Sequence, residues 1–417
     1  MILEYAKLRV RAFLVEVRAL LDVEFPYNDS RDALQILQAL FERKLARLEG
    51  LDGSNDPAVV HQECALALQS LFLYLPLLGF ILRSTNVRNA FELFRPFLRL
   101  ATQVLEPGQP LAERSTRLLL SSEWEYSPFT YQSIPDLPGF VFIGIPAPES
   151  ANPLLLPLAG HELGHTVWEA NKVGAKVEVE MRAAIVQALT VKFDDFKGHV
   201  RLPLVTPDEI VTDLFALSEL QDILQWAIRQ GEETFCDLLG LRLFGEAYLN
   251  AFAYLLAPGS GARLPWYPSL TDRVGYLLTA AGQWQLSWPP DYQRLFDPEV
   301  LSGFTAYDEF KAKIADQSLS AVSHLLIDEA DRTARSTGVA LRTPTEVDRI
   351  RKRFDLGAPA EDCQSIADVV NAAWAAGDDP NLWADVPTMA EKKGQVLKEL
   401  VLKNLEVFEF EQVVKRR

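Results

Sequence analysis

The chain has 417 residues, of which 48% are hydrophobic and 24% are charged, and this composition is typical of a folded globular protein. It is long enough to bury a large core and to form two or three domains. The formal net charge of −16 argues against nucleic acid or an anionic membrane surface as the main partner.

The N-terminus and the cysteines predict a cytoplasmic location. The first residues alternate charged and apolar side chains and lack the apolar stretch and small-residue cleavage site of a signal peptide. The three cysteines are far apart, which predicts buried thiols rather than a disulfide framework. They are Cys64, Cys236 and Cys363.

Apolar residues at helical spacing predict a helical region over residues 1–112. Helices are expected over residues 4–26, from about 28 to 50, and over 90–105. A further stretch, residues 65–82, is almost uncharged and about as long as a membrane span. Because Gln69, Ser70, Pro76 and Gly79 interrupt it, we expect a buried core helix and no membrane span.

Two β-rich runs follow, over residues 117–131 and 140–145. They predict a small antiparallel sheet directly before the next helix. The sheet could simply cover that helix, or it could offer an edge to an extended peptide backbone.

The next helix contains His161, Glu162 and His165 in the pattern HExxH. Residues four apart lie on one helical face, so the two imidazoles can bind one metal ion. Glu162 points about 100° around the helix and can act as a base beside the open coordination position. The alternative is a chance pattern of two buried histidines, although the chain has only five histidines. The pattern therefore predicts a catalytic zinc site, provided that a third ligand exists.

Glu233 is the predicted third ligand, because Asp237 follows it four residues later on an otherwise apolar helix. Such a carboxylate pair requires a cation or a hydrogen-bond donor. Asp237 is then expected to fix the tautomer of a ligand histidine, in particular His161. An alternative treats Glu232 and Glu233 as acids at a helix N-terminus. His199, in a predicted turn, is a weaker candidate for the third ligand.

HExxH followed far downstream by ExxxD resembles the gluzincin-type zinc metallopeptidases. The segment 266–274 is similar to the "HPPxxxRI" segment in the family of the CAAX prenyl protease and the bacterial heat-shock membrane protease. Pro268 and Arg273 match that pattern, whereas Tyr267 replaces the usual histidine. The transmembrane helices of those proteins are missing, so the resemblance, over about residues 115–285, implies a soluble and divergent relative.

The resemblance implies a peptidase in which the strand at residues 140–145 lies beside the cleft and binds the substrate backbone. It also implies that Tyr267 and Arg273 are candidate donors for stabilising the transition state. Arg273 could equally be a buried anchor that pairs with Asp237 or a helix end, and Tyr267 could simply pack against neighbouring aromatic residues.

The remaining sequence predicts further helices. In the helix expected over residues 305–337, His324 lies near the apolar stripe, either as a core histidine or as an oxyanion donor. Helices are also expected within 343–376, followed by a solvated terminal helix over 388–417.

Together these patterns predict a mainly α protein with a small antiparallel β-sheet and a gluzincin-like core. Three regions are expected: residues 1–112, 113–288 and 289–417. The predicted function is a zinc-dependent endopeptidase that acts on a peptide or protein substrate with Glu162 as general base. One Zn²⁺ would be held by His161, His165 and Glu233. The alternatives are a zinc-containing but catalytically silent or autoinhibited binding module, and a helical scaffold without zinc.

Overall fold

A computed structural model describes residues 1–52, 54–84, 91–109, 115–125, 128–131, 134–203 and 205–415. The protein is mainly helical with few strands, which confirms the predicted class at that level. The chain forms two compact units, one of Met1–Phe94 with Ser115–Ala151 and one of Arg95–Arg114 with Asn152–Arg417. The three regions expected from the sequence stay a prediction.

The first unit is built on three helices, α1 (Ile2–Leu21), α2 (Asn28–Glu49) and α3 (Pro57–Arg83), which pack against one another. The next helix, α4, spans Phe91–Leu105. Among the described residues, α3 is the one helix long and apolar enough to cross a membrane by length and composition. The prediction of a buried core helix was wrong in part, because only 33% of its most apolar window is buried. Its exposed face includes Phe72 and Leu75.

The sheet of the first unit contains β1 (Arg117–Glu123), β2 (Phe129–Thr130) and β3 (Phe140–Pro146) in the order β1-β3-β2. β2 is antiparallel to β3, but β1 is parallel to β3, so the sheet is mixed and the antiparallel prediction was wrong. A parallel pair needs a crossover of about a dozen or more residues, which residues 124–139 supply. The role of β3 beside a cleft stays a prediction.

The second unit carries most of the helices and two short strands that pair in parallel, β4 (Ala262–Arg263) and β5 (Val300–Leu301). Its further helices are α5 (Leu156–Ala170), α6 (Val173–Val191), α7 (Phe193–Val200), α8 (Leu214–Phe244), α9 (Glu246–Leu256), α10 (Leu270–Gln283), α11 (Ala306–Ser336), α12 (Pro344–Asp355), α13 (Ile366–Gly377), α14 (Pro387–Ala390) and α15 (Lys393–Val414).

The helix α8 is a single helix of 31 residues, so it continues through Glu232 and Glu233, where the sequence also allowed a helix to begin. It begins at Leu214, where Asp213 caps it by accepting hydrogen bonds from the backbone N–H groups of Phe215 and Ala216. No proline interrupts it, and Gly231 is buried within it without ending it. The carboxylates that follow Gly231 therefore lie inside a helix, not at its start.

Two glycines of the HExxH helix let α5 lie directly against α8. A Cβ atom at Gly164 would come within 2.8 Å of the Cα atom of Cys236. A Cβ atom at Gly160 would come within 2.9 Å of the Phe244 ring. Because only glycine permits this approach, both positions help bring the histidines of α5 next to the carboxylates of α8.

Candidate metal centre

A 3-10 turn, Pro153–Leu155, precedes the helix α5, which begins at Leu156 with Pro157 in its first turn, where a missing N–H costs little. The motif residues follow on the side that packs against α8. His161 is 8% exposed and Glu162 is 5% exposed, while His165 is partly buried. Buried polar rings of this kind require partners, and α8 supplies them.

Glu233 lies against both histidine Nε2 atoms. Its Oε2 atom is 3.5 Å from Nε2 of His161, and its Oε1 atom is 3.7 Å from Nε2 of His165. In a tetrahedral site with zinc–nitrogen bonds of 2.0–2.1 Å, neighbouring ligand atoms are about 3.3 Å apart. The three side chains are therefore close to the spacing that a shared zinc ion requires.

A separate carboxylate contacts the other nitrogen of each histidine. Nδ1 of His161 is 2.8 Å from Oδ1 of Asp237, and Nδ1 of His165 is 2.9 Å from Oε1 of Glu232. These contacts orient both rings so that their Nε2 atoms face Glu233. The contact of Asp237 with His161 is the one expected from the sequence, whereas the contact of Glu232 was missed. The alternative of a helix N-terminus at Glu232 and Glu233 is wrong, because both residues lie inside α8.

Asp237 is the most buried of these carboxylates, and Tyr248 and Arg273 contact it in addition to His161. The hydroxyl of Tyr248 donates to its Oδ1 atom at 2.7 Å. The guanidinium of Arg273 donates from Nε at 2.7 Å and from Nη2 at 2.8 Å. Burial would raise the pKa of Asp237, but the charge of Arg273 outweighs it and holds the pKa well below its usual range. Arg273 thus pairs with Asp237, which is one of the two roles considered for it from the sequence. The contact of Tyr248 with Asp237 was not predicted, because nothing in the apolar sequence of α9 indicates it.

The same carboxylates affect the protonation of His161. Burial would lower its pKa, but the hydrogen bonds to Asp237 and Glu233 outweigh this and raise the pKa to about 10. Without a metal, His161 is therefore a cation at neutral pH that partly balances the surrounding negative charges. A metal ion bound at Nε2 would replace that proton.

Cys236 is a further potential ligand, although its sequence position predicts only a buried thiol. His161, His165 and Cys236 each offer a ligand atom, and these atoms lie within 4.8 Å of one another. Together they form a buried group that could hold a metal ion. Burial raises the pKa of the Cys236 thiol well above its usual value, so in the absence of a metal it is protonated.

Tyr267 lies at the border of two cavities in the second unit. One has a volume of about 830 Å³ and is lined by Tyr267, Glu232 and Glu233 among others. The other has a volume of about 470 Å³ and is lined by Tyr267 and Arg273 among others. Tyr267 is exposed, at 39%, and its pKa is raised by partial burial of the hydroxyl and by the charge of Glu233. Tyr267 is therefore both accessible and close to the candidate metal ligands.

Two histidines weighed from the sequence do not contribute to this cluster. His199 is exposed on α7, not in a turn, and its ring stacks on that of Tyr307 and contacts that of Phe310 at a tilt. His324 is exposed on α11, so the prediction of a core histidine was wrong. His324 is two residues from each of the buried Val322 and Leu326, about 200° around the helix, so its side chain points to the opposite, exposed face.

Compared with models of known protein families, with curated protein sequences and with solved structures, the chain has no significant match. The chemistry and geometry of the site are therefore the basis on which a function can be inferred.

Proposed function

We propose that the protein is a zinc-dependent peptidase with one zinc ion held by His161, His165 and Glu233. The observation that carries this proposal is the position of the Glu233 carboxylate, 3.5 and 3.7 Å from the two Nε2 atoms. Both Nδ1 atoms already have carboxylate partners, so the Nε2 atoms are the ones left for a metal. Two imidazoles and one carboxylate are a ligand set typical of catalytic zinc, with a fourth position open.

When bound, zinc would act as a Lewis acid on the scissile carbonyl and lower the pKa of water. Glu162, next to His161 on α5, accepts the proton of the attacking water and passes it to the leaving amine. Tyr267 donates a hydrogen bond to the carbonyl oxygen as negative charge develops there. Asp237 and Arg273 hold the His161 ring in place.

The two cavities favour a substrate that continues on both sides of the cleaved bond. Tyr267 lines both, with Glu233 in the lining of one and Arg273 in the lining of the other. An extended peptide occupying both would present an internal bond near the metal. We therefore propose endopeptidase activity on peptide or protein substrates, in agreement with the motif resemblance.

A second candidate function follows from Cys236. If its thiolate were a ligand together with His161, His165 and Glu233, zinc would have four protein ligands, which is typical of structural sites. No position would remain for water, and the protein would be a catalytically silent zinc-containing module. The two candidates differ in what they require of Cys236.

The test begins with zinc content and cleavage of a quenched-fluorescent peptide library, with and without a chelator. We expect about one zinc ion per chain, and cleavage that is lost with the chelator and restored by zinc. His161→Ala should lose the zinc, whereas His199→Ala, a matched change of an exposed histidine, should keep it. Zinc below about half an equivalent and unaffected by His161→Ala would overturn the metal site.

Cys236→Ser separates the two candidates. Under the peptidase proposal the variant retains zinc and cleavage, and cobalt-substituted wild-type protein lacks a thiolate charge-transfer absorption. Bound zinc without cleavage, lost on Cys236→Ser, would instead support the silent module.

A further inference from the structure

Gln230 is a buried amide whose contacts are unusual for its position. It lies on α8 three residues before Glu233 and is fully buried. Its Nε2 atom donates to the carbonyl of Pro265 at 2.8 Å and to Oδ1 of Asp316 at 3.0 Å. Its Oε1 atom is buried without a hydrogen-bond partner among the described residues. An apolar side chain at this position would leave no buried acceptor unpaired. The presence of a glutamine therefore suggests that its two donated hydrogen bonds have a role.

Both hydrogen bonds of Gln230 help to hold the segment between α9 and α10 in place. Asp316, on α11, accepts two hydrogen bonds from Nη2 of Arg263, at 2.9 and 2.8 Å. The Arg263 side chain is 6% exposed and lies in β4. The segment is thus held at Arg263 through Asp316 and at Pro265 through Gln230.

Tyr267 follows this anchored stretch immediately. Its backbone N–H donates to the carbonyl of Leu264 at 3.0 Å, which closes a turn around Pro265. Fixing the Pro265 carbonyl therefore also fixes the backbone that carries the Tyr267 ring. Because Gln230 and Glu233 are one turn apart on the same helix, this anchor ties Tyr267 to the helix that carries the proposed ligand.

We propose that Gln230 is a positioning residue that holds Tyr267 at the metal centre, so that its hydroxyl can reach the substrate carbonyl oxygen. This inference rests on the proposed peptidase function. A hydrogen-bond donor stabilises a transition state only when it is held at the right distance before the reaction begins. The cluster of Gln230, Asp316 and Arg263 supplies that constraint at the cost of one unpaired acceptor.

A double-mutant cycle tests the proposal on the zinc-loaded protein. Tyr267→Phe should lower kcat by roughly 100-fold, the order found for loss of one such donor. Gln230→Met, which removes the donated bonds, should lower kcat about tenfold, with KM and zinc content little changed. In the Tyr267→Phe background, Gln230→Met should have almost no further effect on kcat. An equal effect of Gln230→Met in both backgrounds would overturn the proposal.

Two further variants separate positioning from loss of stability. Asn404→Leu removes another buried amide, which accepts from the N–H of Ala360, and should lower stability without lowering kcat. Arg263→Lys weakens the same anchor more gently, and its smaller effect on kcat should also vanish with Tyr267→Phe. If Gln230→Met does not fold, Arg263→Lys decides, and additivity there counts against the proposal. Absence of zinc-dependent cleavage in the wild-type protein would instead overturn the proposed function.

Discussion

Nδ1 of His165 lies 2.9 Å from Oε1 of Glu232, and Glu232 in turn accepts a hydrogen bond from Nη1 of Arg229 at 3.1 Å. Glu232 is buried, while the Arg229 side chain is 53% exposed and lines the larger cavity. The orientation of one candidate metal ligand is thus connected to a side chain at the surface of the cavity.

Glu232→Gln should weaken zinc affinity by about 10–100-fold, the usual effect of removing a carboxylate behind a ligand histidine. Competition with a chromophoric chelator measures the change. Asp222→Asn, an exposed acid on the same helix, serves as the control and should leave the affinity unchanged. Equal affinities for Glu232→Gln and the wild type would mean that this contact does not support the metal.

Glu162→Gln should keep zinc and lower kcat by about 10²–10⁴-fold, because the amide cannot accept the proton of the attacking water. Steady-state cleavage assays together with zinc analysis measure both properties. Retained activity in a zinc-loaded variant would show that another group is the base.

Zinc binding should release about one proton from His161 near pH 8. The pKa of His161 is raised to about 10 by Asp237 and Glu233, so the metal-free protein holds this proton well above its ordinary titration range. The proton's stabilising effect on the metal-free fold is fully present below about pH 6.5 and is lost as the pH rises through 10. Calorimetry in buffers of different ionisation enthalpy measures the release, which Asp237→Asn should reduce.

Arg273→Met should lower the free energy of unfolding by about 3 kcal/mol, because it removes the guanidinium that pairs with the buried Asp237 carboxylate and leaves only His161 as a cation beside it. Denaturant unfolding of the metal-free protein measures the loss. Adding Asp237→Asn to Arg273→Met removes the buried charge and should recover part of it. A double variant less stable than Arg273→Met would argue against the loss of charge compensation at Asp237 as the cause.

Gly164→Ala should destabilise the protein by about 1–3 kcal/mol and weaken zinc binding, since the new methyl group would clash with the backbone of Cys236. Gly275→Ala is the matched control, because a Cβ atom there meets nothing within 4 Å. In that open position on α10, alanine should be neutral or stabilising by up to about 1 kcal/mol. Thermal unfolding and chelator competition compare the two variants.

Helical spacing alone determines that His161 shares a helix face with His165, and Glu233 with Asp237. The assignment of His161, His165 and Glu233 as zinc ligands stays a prediction. The contact of Glu232 with His165 was missed, because Glu232 was considered only as an acid at a helix N-terminus. An acid there interacts with the helix dipole, whereas a buried acid inside a helix needs another partner. The parallel pairing of β1 with β3 and the contacts of Tyr248 and Gln230 depend on distant segments meeting. Such contacts between distant segments cannot be predicted from a local sequence pattern.

The continuity of α8 also limits what the larger cavity can admit. Gln221 and Glu233 both line that cavity and are twelve residues apart on one unbroken helix, a distance of about 18 Å. An extended chain covers that length with about five residues. Under the proposed function, the rigid floor would favour unfolded segments and loops of at least that length over compact domains. The shape of a substrate, before its sequence, would then decide whether it is cut.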